Sequence, residues 1–191
     1  MYQRLVSILG ACLLAVACTP GAQAGPAPGA SAEAATLAPE FTGIDHWINS
    51  EPLSMEALRG KVVLVEFWTY SCINCIHVMP YVKQWHESYR DKGLVVVGVH
   101  TPEYGYERST KNVEAAVKRF GIRYPVAQDN GYQTWNAYRN RYWPALYLID
   151  RSGRVAYQHF GEGGYARTEA LIQKLLADGS ATPKVVVTAQ E

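Results

Sequence analysis

A strand that runs directly into two cysteines constrains this sequence most. Residues 61–67 read KVVLVEF, an apolar run that is typical of a strand buried on both faces of a sheet, and Cys72 and Cys75 follow closely. Helical length and spacing continue from Cys72 to about Arg90, and Ser71 is a candidate N-cap for that helix. The sequence therefore predicts a strand–turn–helix unit that carries both thiols at the start of the helix.

The rest of the chain alternates strand and helix patterns. A mixed stretch at 41–60 predicts a short strand or hairpin. Further strands are predicted at 94–99, 125–128, 145–149 and 154–160, and helices at 110–120, 132–140 and 166–177. Such alternation predicts an α/β domain with helices on both faces of a central sheet.

The first 24 residues predict an export signal. A short charged start precedes an apolar run that is too brief to span a bilayer. Residues 14–18 resemble a lipobox, in which Cys18 would become the lipidated first residue, and Ala22-Gln23-Ala24 is a competing site of ordinary cleavage. We expect an exported, periplasmic protein that a lipid on Cys18 tethers to a membrane.

Composition divides the remaining chain into three parts. Residues 19–36 are rich in Ala, Pro and Gly and predict a flexible tether. Residues 37–178 hold the predicted folded domain, and residues 179–191 form either a tail or an added edge strand. The charges nearly balance, with 18 basic and 17 acidic side chains, so no basic stripe predicts a nucleic-acid partner.

Cysteine usage leaves one thiol pair in the mature domain. Of four cysteines, Cys12 is removed with the signal and Cys18 is lipidated or removed, which leaves Cys72 and Cys75 in an oxidising compartment. Covalent haem attachment would need a histidine directly after the second cysteine, where Ile76 stands. A structural disulfide over so short a loop would restrain little of the unfolded chain.

Metal binding is the next alternative for this pair. Cys72, Cys75 and His77 supply at most three ligands, and His100 could complete a zinc set. Thiolates also suit Cu(I), which leaves a copper carrier open. No resident metal is expected, because nothing in the sequence requires the fourth ligand.

A redox pair agrees best with the position of the two thiols. A cysteine in the first turn of a helix meets unpaired N–H groups and the positive end of the helix dipole, which lower its pKa. Cys72 is therefore the predicted nucleophile, and Cys75, one turn deeper, is the predicted resolving thiol. Glu66 interrupts the apolar strand, and burial would raise its pKa and suit it to proton exchange. An edge-strand glutamate paired with a lysine or arginine is the alternative.

Several separate motifs resemble the thioredoxin superfamily. They are Glu66-Phe67-Trp68 followed by Cys72-x-x-Cys75, then Pro80 within the helix, and Trp143-Pro144 before a hairpin. The stretches WTYSCINCIHVMPY, VHTPEY and NRYWPALYLID resemble more narrowly its TlpA-like branch, in particular the extracytoplasmic thioredoxin-like domain of DipZ-type proteins.

The resemblance implies a thioredoxin-like fold with a central mixed β-sheet. It also implies a cis peptide bond before Pro144, facing a redox-active Cys72–Cys75 disulfide that needs no other cofactor. Trp143, Pro144 and Tyr70 would then contact the substrate, while Trp68 is expected in the core.

The function implied is a thiol–disulfide oxidoreductase that reduces disulfides of exported proteins. Electrons would come from a separate membrane donor of the CcdA or DsbD type, and cytochrome c biogenesis is one use of such proteins. Ile73 and Asn74, between the cysteines, include no histidine to stabilise the thiolate, which favours a reducing pair. A thiol peroxidase stays open because Thr69-x-x-Cys72 fits its spacing, although Val65 stands where that motif has proline. The roles of His100 and Glu103, which follow a buried strand, are left open.

Overall fold

The computed structural model describes residues 36–178. The predicted signal, the tether up to residue 35 and the segment 179–191 lie outside the described residues, as does Cys18. The strands are β1 His46–Ile48, β2 Val62–Trp68, β3 Leu94–His100, β4 Val126–Gln128, β5 Ala145–Ile149 and β6 Val155–Phe160. The helices are α1 Ile73–Tyr89, α2 Thr110–Phe120, α3 Gln133–Ala137 and α4 Tyr165–Asp178, with 3₁₀ turns at Arg90–Lys92 and Gly105–Arg108.

These elements build one mixed sheet with the order β1-β4-β3-β2-β5-β6. Strands β2, β3 and β4 run parallel, whereas β5 is antiparallel to β2, β6 to β5, and β1 to β4. The prediction of a central mixed sheet is therefore confirmed. Because β2 lies near the middle of the sheet, the cysteines that follow it lie beyond the carboxyl ends of the parallel strands, near the centre of the sheet.

Alternation along β2 divides the apolar core between the two faces of the sheet. Leu64 and Trp68 pack with buried side chains of α1, α2 and α4 on one face. Val65 and Phe67 pack with α3 and the segment before β1 on the other. Every residue of β2 is buried, which explains its nearly continuous apolar sequence and confirms that structure covers both faces.

The bounds of α1, α2 and α4 agree with the predictions to within one residue, whereas α3 ends at Ala137, three residues before the predicted end, because Arg139 adopts a left-handed φ of 51°. Helix α2 ends at Gly121, whose left-handed φ of 62° closes the last turn as predicted. Within residues 36–178, no helix has the length and apolar character needed to cross a membrane.

Candidate active site

Helix α1 begins one residue later than predicted, and Cys72 itself occupies the N-cap. The Cys72 backbone is extended, and its Sγ accepts a hydrogen bond from the backbone N–H of Cys75 at 3.3 Å. The assignment of Ser71 as N-cap is wrong, because the Ser71 hydroxyl donates instead to a carboxylate oxygen of Glu107. The sulfur therefore takes the place that a hydroxyl oxygen usually occupies at a helix start.

The position of Cys72 favours its ionised form. The pKa of Cys72 is lowered to about 7. The largest cause is a hydrogen bond from the Cys75 thiol, and the backbone N–H groups of Cys75 and Asn74 act in the same direction. Partial burial of Cys72 opposes them and raises the pKa, as does the carboxylate of Glu103. Cys72 is partly exposed, so its sulfur combines a lowered pKa with access from solvent.

Cys75 has the opposite environment. Its side chain is fully buried among core residues of α1 and β2. Burial raises the pKa of the Cys75 thiol far above its ordinary value, and its hydrogen bond to Cys72 and the negative charge of Glu66 act in the same direction. Cys75 therefore remains a thiol unless another group takes its proton.

Glu66 is a buried acid on the same face of the sheet as Cys75. Its side chain is 0% exposed, and its Oε2 accepts a hydrogen bond from the Tyr124 hydroxyl at 3.0 Å. Oε1 has no hydrogen-bond partner within residues 36–178. Burial raises the pKa of Glu66 to about 8, against the lowering effect of Tyr124. The edge-strand alternative is wrong, because β2 lies between β3 and β5.

A glycine opposite Glu66 on the neighbouring strand makes room for two aromatic rings. Gly98 lies opposite Glu66 in the parallel pairing of β2 and β3. A Cβ atom at position 98 would come within 3.0 Å of both Trp68 Nε1 and Tyr124 Cε2. The absence of a side chain at position 98 therefore leaves space for the Trp68 and Tyr124 rings, and Trp68 is buried in the core as expected.

The Trp143–Pro144 peptide bond is cis, as the resemblance implies. Antiparallel pairing of Phe67 with Ala145 brings this bond to the end of β2 from which the cysteine segment departs. Trp143 Nε1 donates to the Thr101 carbonyl at 2.9 Å, and its ring packs on Trp135 at 4.1 Å between centroids. Trp143 is thus held in place while part of its side chain stays accessible.

Tyr70 and His100 form a stack beside the cysteine segment. Their rings lie 5.6 Å apart and nearly parallel, and the Tyr70 hydroxyl donates to the Tyr106 carbonyl at 3.0 Å. His100 is buried, with Nε2 3.3 Å from Thr69 Oγ1, and burial lowers the pKa of its imidazole to about 4. His100 is therefore neutral at physiological pH.

The metal-binding alternative requires a cluster of ligand side chains. Between residues 36 and 178, no group of three or more His, Cys, Asp or Glu side chains could hold an ion together. His77 lies on the exposed side of α1, where its Nδ1 is 3.1 Å from Glu162 Oε1. His100 contacts Thr69 instead of the thiols.

Glu107 is a site residue that the sequence analysis missed. Its carboxylate is buried where the loop after β3 meets the segment before α1. Oε2 accepts the backbone N–H groups of Glu103 at 2.6 Å and Tyr104 at 2.9 Å, and Oε1 accepts the Ser71 hydroxyl at 2.5 Å. Burial alone would raise the pKa of Glu107, but hydrogen bonds from Ser71, Thr69 and the backbone lower it overall. The local signal was a capping-box spacing from Tyr104 to Glu107.

Comparisons with known proteins agree with this geometry. The model of the AhpC/TSA family matches residues 34–158. DipZ of Mycobacterium tuberculosis is 51% identical over 152 residues, which cover 78% of this chain and 22% of that protein. The chain thus spans about a fifth of the length of the DipZ proteins that it matches.

Two further matches extend over most of the length of the matched protein. ResA of Bacillus cereus, named a thiol-disulfide oxidoreductase, is 30% identical over 72% of this chain and 76% of that protein. The crystal structure of a thiol-disulfide isomerase from Corynebacterium glutamicum superposes with a TM-score of 0.66 at 30% identity, covering 73% of this chain and 97% of that one. This chain belongs to the AhpC/TSA family and has the thioredoxin-like fold.

Proposed function

We propose that this chain reduces disulfide bonds of exported proteins from a tethered position at a membrane. The chain is a thiol–disulfide oxidoreductase of the thioredoxin superfamily, similar to DipZ and ResA. The observation that carries the chemistry is the contrast between Cys72, whose pKa is lowered to about 7, and Cys75, whose pKa is raised by burial.

Cys72 is the proposed nucleophile. Its thiolate attacks one sulfur of a client disulfide, the client S–S bond breaks, and one client sulfur leaves as a thiolate. The client is then joined to Cys72 by a mixed disulfide. Ile73 is 60% exposed next to this sulfur and offers an apolar surface to the client chain.

Cys75 and Glu66 are the proposed resolving thiol and proton acceptor. The Cys75 thiol gives its proton to the Glu66 carboxylate and attacks the Cys72 sulfur, which releases the second client thiol. The client has then gained two electrons, and Cys72 and Cys75 are joined as a disulfide. A carboxyl group with a pKa of about 8 suits this step, because both its forms are populated near neutral pH.

Trp143, Pro144 and Tyr70 are the proposed client contacts. Support comes from the register of β5, which brings the cis peptide bond beside the end of β2, and from the partial exposure of Trp143 and Tyr70. We propose that the client disulfide lies between this bond and Cys72.

The location and the electron donor are also proposals. The apolar N-terminal run and the lipobox-like residues before Cys18 support export and lipidation. The resemblance to DipZ-type proteins supports a membrane thiol donor of the CcdA or DsbD type, which would return the Cys72–Cys75 disulfide to the dithiol. Loss of fatty-acid labelling in a Cys18→Ala variant would support the anchor, and retained labelling would contradict it.

The direction of exchange is tested by the midpoint potential of the purified protein. We expect a value near about −270 mV, where reducing thioredoxins lie, and a value near about −120 mV would overturn the assignment as a reductase. A Cys75→Ser variant should trap clients as mixed disulfides, and Cys72→Ser is the matched control that should trap none. Consumption of hydrogen peroxide faster than client reduction would support a peroxidase instead.

A further inference from the structure

The four residues before Cys72 are each hydrogen-bonded to the last residue of β3 or to the segment that follows it. The Trp68 carbonyl accepts the Thr101 N–H at 3.1 Å, and Thr69 Oγ1 lies 3.3 Å from His100 Nε2. The Tyr70 and Ser71 hydroxyls then bond to Tyr106 and Glu107. We call the contact between residues 68–71 and residues 100–107 the loop junction. Cys72 is the first residue after it.

Glu107 joins the two sides of the loop junction. One carboxylate oxygen holds the Ser71 hydroxyl, and the other holds two successive backbone N–H groups at Glu103 and Tyr104. Three donors converge on one buried side chain, which fixes the carboxylate and both segments relative to each other. Such a carboxylate has no freedom to move to the thiols, so its effect on the position of Cys72 passes through Ser71, while its charge acts on the thiols only across space.

We propose that Glu107 is a positioning residue that, by holding the Ser71 hydroxyl, keeps Cys72 in place as the side chain that caps α1. The capping geometry requires the Cys72 sulfur to stay 3.3 Å from the Cys75 N–H, and Ser71 is the residue directly before it. A hydroxyl held by Glu107 also cannot compete with that sulfur for the free N–H groups of the helix. The proposal rests on the proposed exchange chemistry at Cys72.

The charged and titratable groups around the loop junction determine how a substitution there should change the pKa of Cys72. Cys75 from α1 and Glu103 from the loop act directly on the ionisation of Cys72. His100 from β3 faces Glu107 but is neutral above about pH 4. Removing the negative charge of Glu107 would by itself favour the Cys72 thiolate, whereas loss of the cap would disfavour it. The two effects have opposite signs and can be separated.

The test compares Ser71→Ala with Glu107→Leu in the full chain. Ser71→Ala removes the hydroxyl that Glu107 holds without changing charge, and Glu107→Leu removes every side-chain acceptor at position 107 together with its charge. The matched control is Glu56→Leu, which replaces an exposed carboxylate in the turn before β2. The rate of iodoacetamide labelling at Cys72 of the reduced protein is measured at several pH values by peptide mass spectrometry, together with the melting temperature.

We expect Ser71→Ala to react more slowly than the control at pH 6, by about threefold, which corresponds to a rise of about half a pKa unit at Cys72. Glu107→Leu loses the same hydrogen bond but also a nearby negative charge, so its rate should fall less than that of Ser71→Ala. The double variant should react no more slowly than Glu107→Leu, because the bond between the two residues is already absent there. A Ser71→Ala rate equal to that of the control would overturn the proposal, as would a double variant slower than Glu107→Leu by the full effect of Ser71→Ala. A changed melting temperature with an unchanged rate of labelling at Cys72 would also overturn the proposal, because Glu107 would then act only on stability.

Labelling does not require turnover, so the two proposals can fail separately. Reduction of insulin disulfides is measured on the same samples. Absence of insulin reduction in the unmodified protein would contradict the proposed function, while the labelling rates would still decide the role of Glu107.

Discussion

Two buried carboxylates lie near the thiol pair, one acting on Cys75 and the other bonded to Ser71, and they differ in the hydrogen bonds that they receive. Glu66, behind Cys75, receives one hydrogen bond from Tyr124, and burial raises its pKa to about 8. Glu107, in the loop junction, receives hydrogen bonds from the Ser71 hydroxyl and from two backbone N–H groups at 2.5 to 2.9 Å, and its pKa is lowered despite burial. Burial alone therefore does not decide the charge of an acid; the supply of donors does. One acid can exchange a proton near neutral pH, and the other stays ionised.

Of the substitutions that test this difference between the two acids, Glu66→Gln should have the largest effect on the rate of disulfide exchange. Without a proton acceptor, attack by Cys75 on the mixed disulfide should slow by about 10²-fold, in the range of general base catalysis. Rapid-quench analysis of mixed-disulfide decay at pH 8 measures this step. Glu56→Gln is the matched control, and decay of Glu66→Gln at the unmodified rate would remove Glu66 from the mechanism.

The same substitution should change how stability depends on pH. Between pH 4.5 and about 8 the folded protein keeps a proton on Glu66 that the unfolded chain has lost. The free energy of unfolding therefore falls as pH rises through this window, by up to about 1.4 kcal/mol per pH unit. Denaturant unfolding from pH 5 to 8 should show a flatter profile for Glu66→Gln. Parallel profiles for the two proteins would contradict the raised pKa.

His100 should act in the opposite direction at lower pH. Its pKa is about 4 in the folded protein against 6.5 as the ordinary value, so the unfolded chain binds the extra proton between these limits. Stability from this group is present above pH 6.5 and is lost as pH falls toward 4. Unfolding of His100→Asn should lose this acid-side slope, and an unchanged slope would contradict a buried neutral imidazole.

Tyr124→Phe should have a smaller effect. It removes the hydroxyl that lowers the pKa of Glu66 and leaves the ring that packs beside Gly98. The pH at which mixed-disulfide decay reaches half its maximum should move upward, with a change in unfolding free energy of about 1 kcal/mol. A downward shift would mean that the hydroxyl stabilises the protonated acid instead.

The smallest effect is expected outside both acid environments. His77 and Glu162 form an exposed pair on the outer side of α1. His77→Ala should change the free energy of unfolding by less than about 1 kcal/mol and leave disulfide exchange unchanged. Loss of stoichiometric Cu(I) binding in this variant would contradict the account and support the copper-carrier alternative.

The sequence predicted the Glu66 environment because that environment follows from local pattern. An acid inside an otherwise apolar central strand must be buried, and strand alternation places Glu66 on the face that also receives α1. The cysteine pair, the strand–helix order and the cis bond before Pro144 were predicted from similarly local motifs or from the family resemblance.

The loop junction could not be predicted in the same way. Glu107 meets Ser71 only because β2 and β3 are parallel neighbours whose following segments converge, and this contact spans 36 positions of sequence. Propensity favoured Ser71 as the N-cap, but the buried carboxylate competes for its hydroxyl, so the cap moves to Cys72. The pairing of β1 with β4 likewise depends on a contact between distant residues.

The central claim is that Cys72 ionises near neutral pH while Cys75 remains protonated behind it. Alkylation of the reduced protein across a pH series, with each cysteine identified by peptide mass spectrometry, tests it most directly. The account predicts that labelling of Cys72 rises with a midpoint near pH 7 and that Cys75 stays unlabelled throughout this range. A Cys72 midpoint near pH 9, the ordinary value for the thiol, would contradict it.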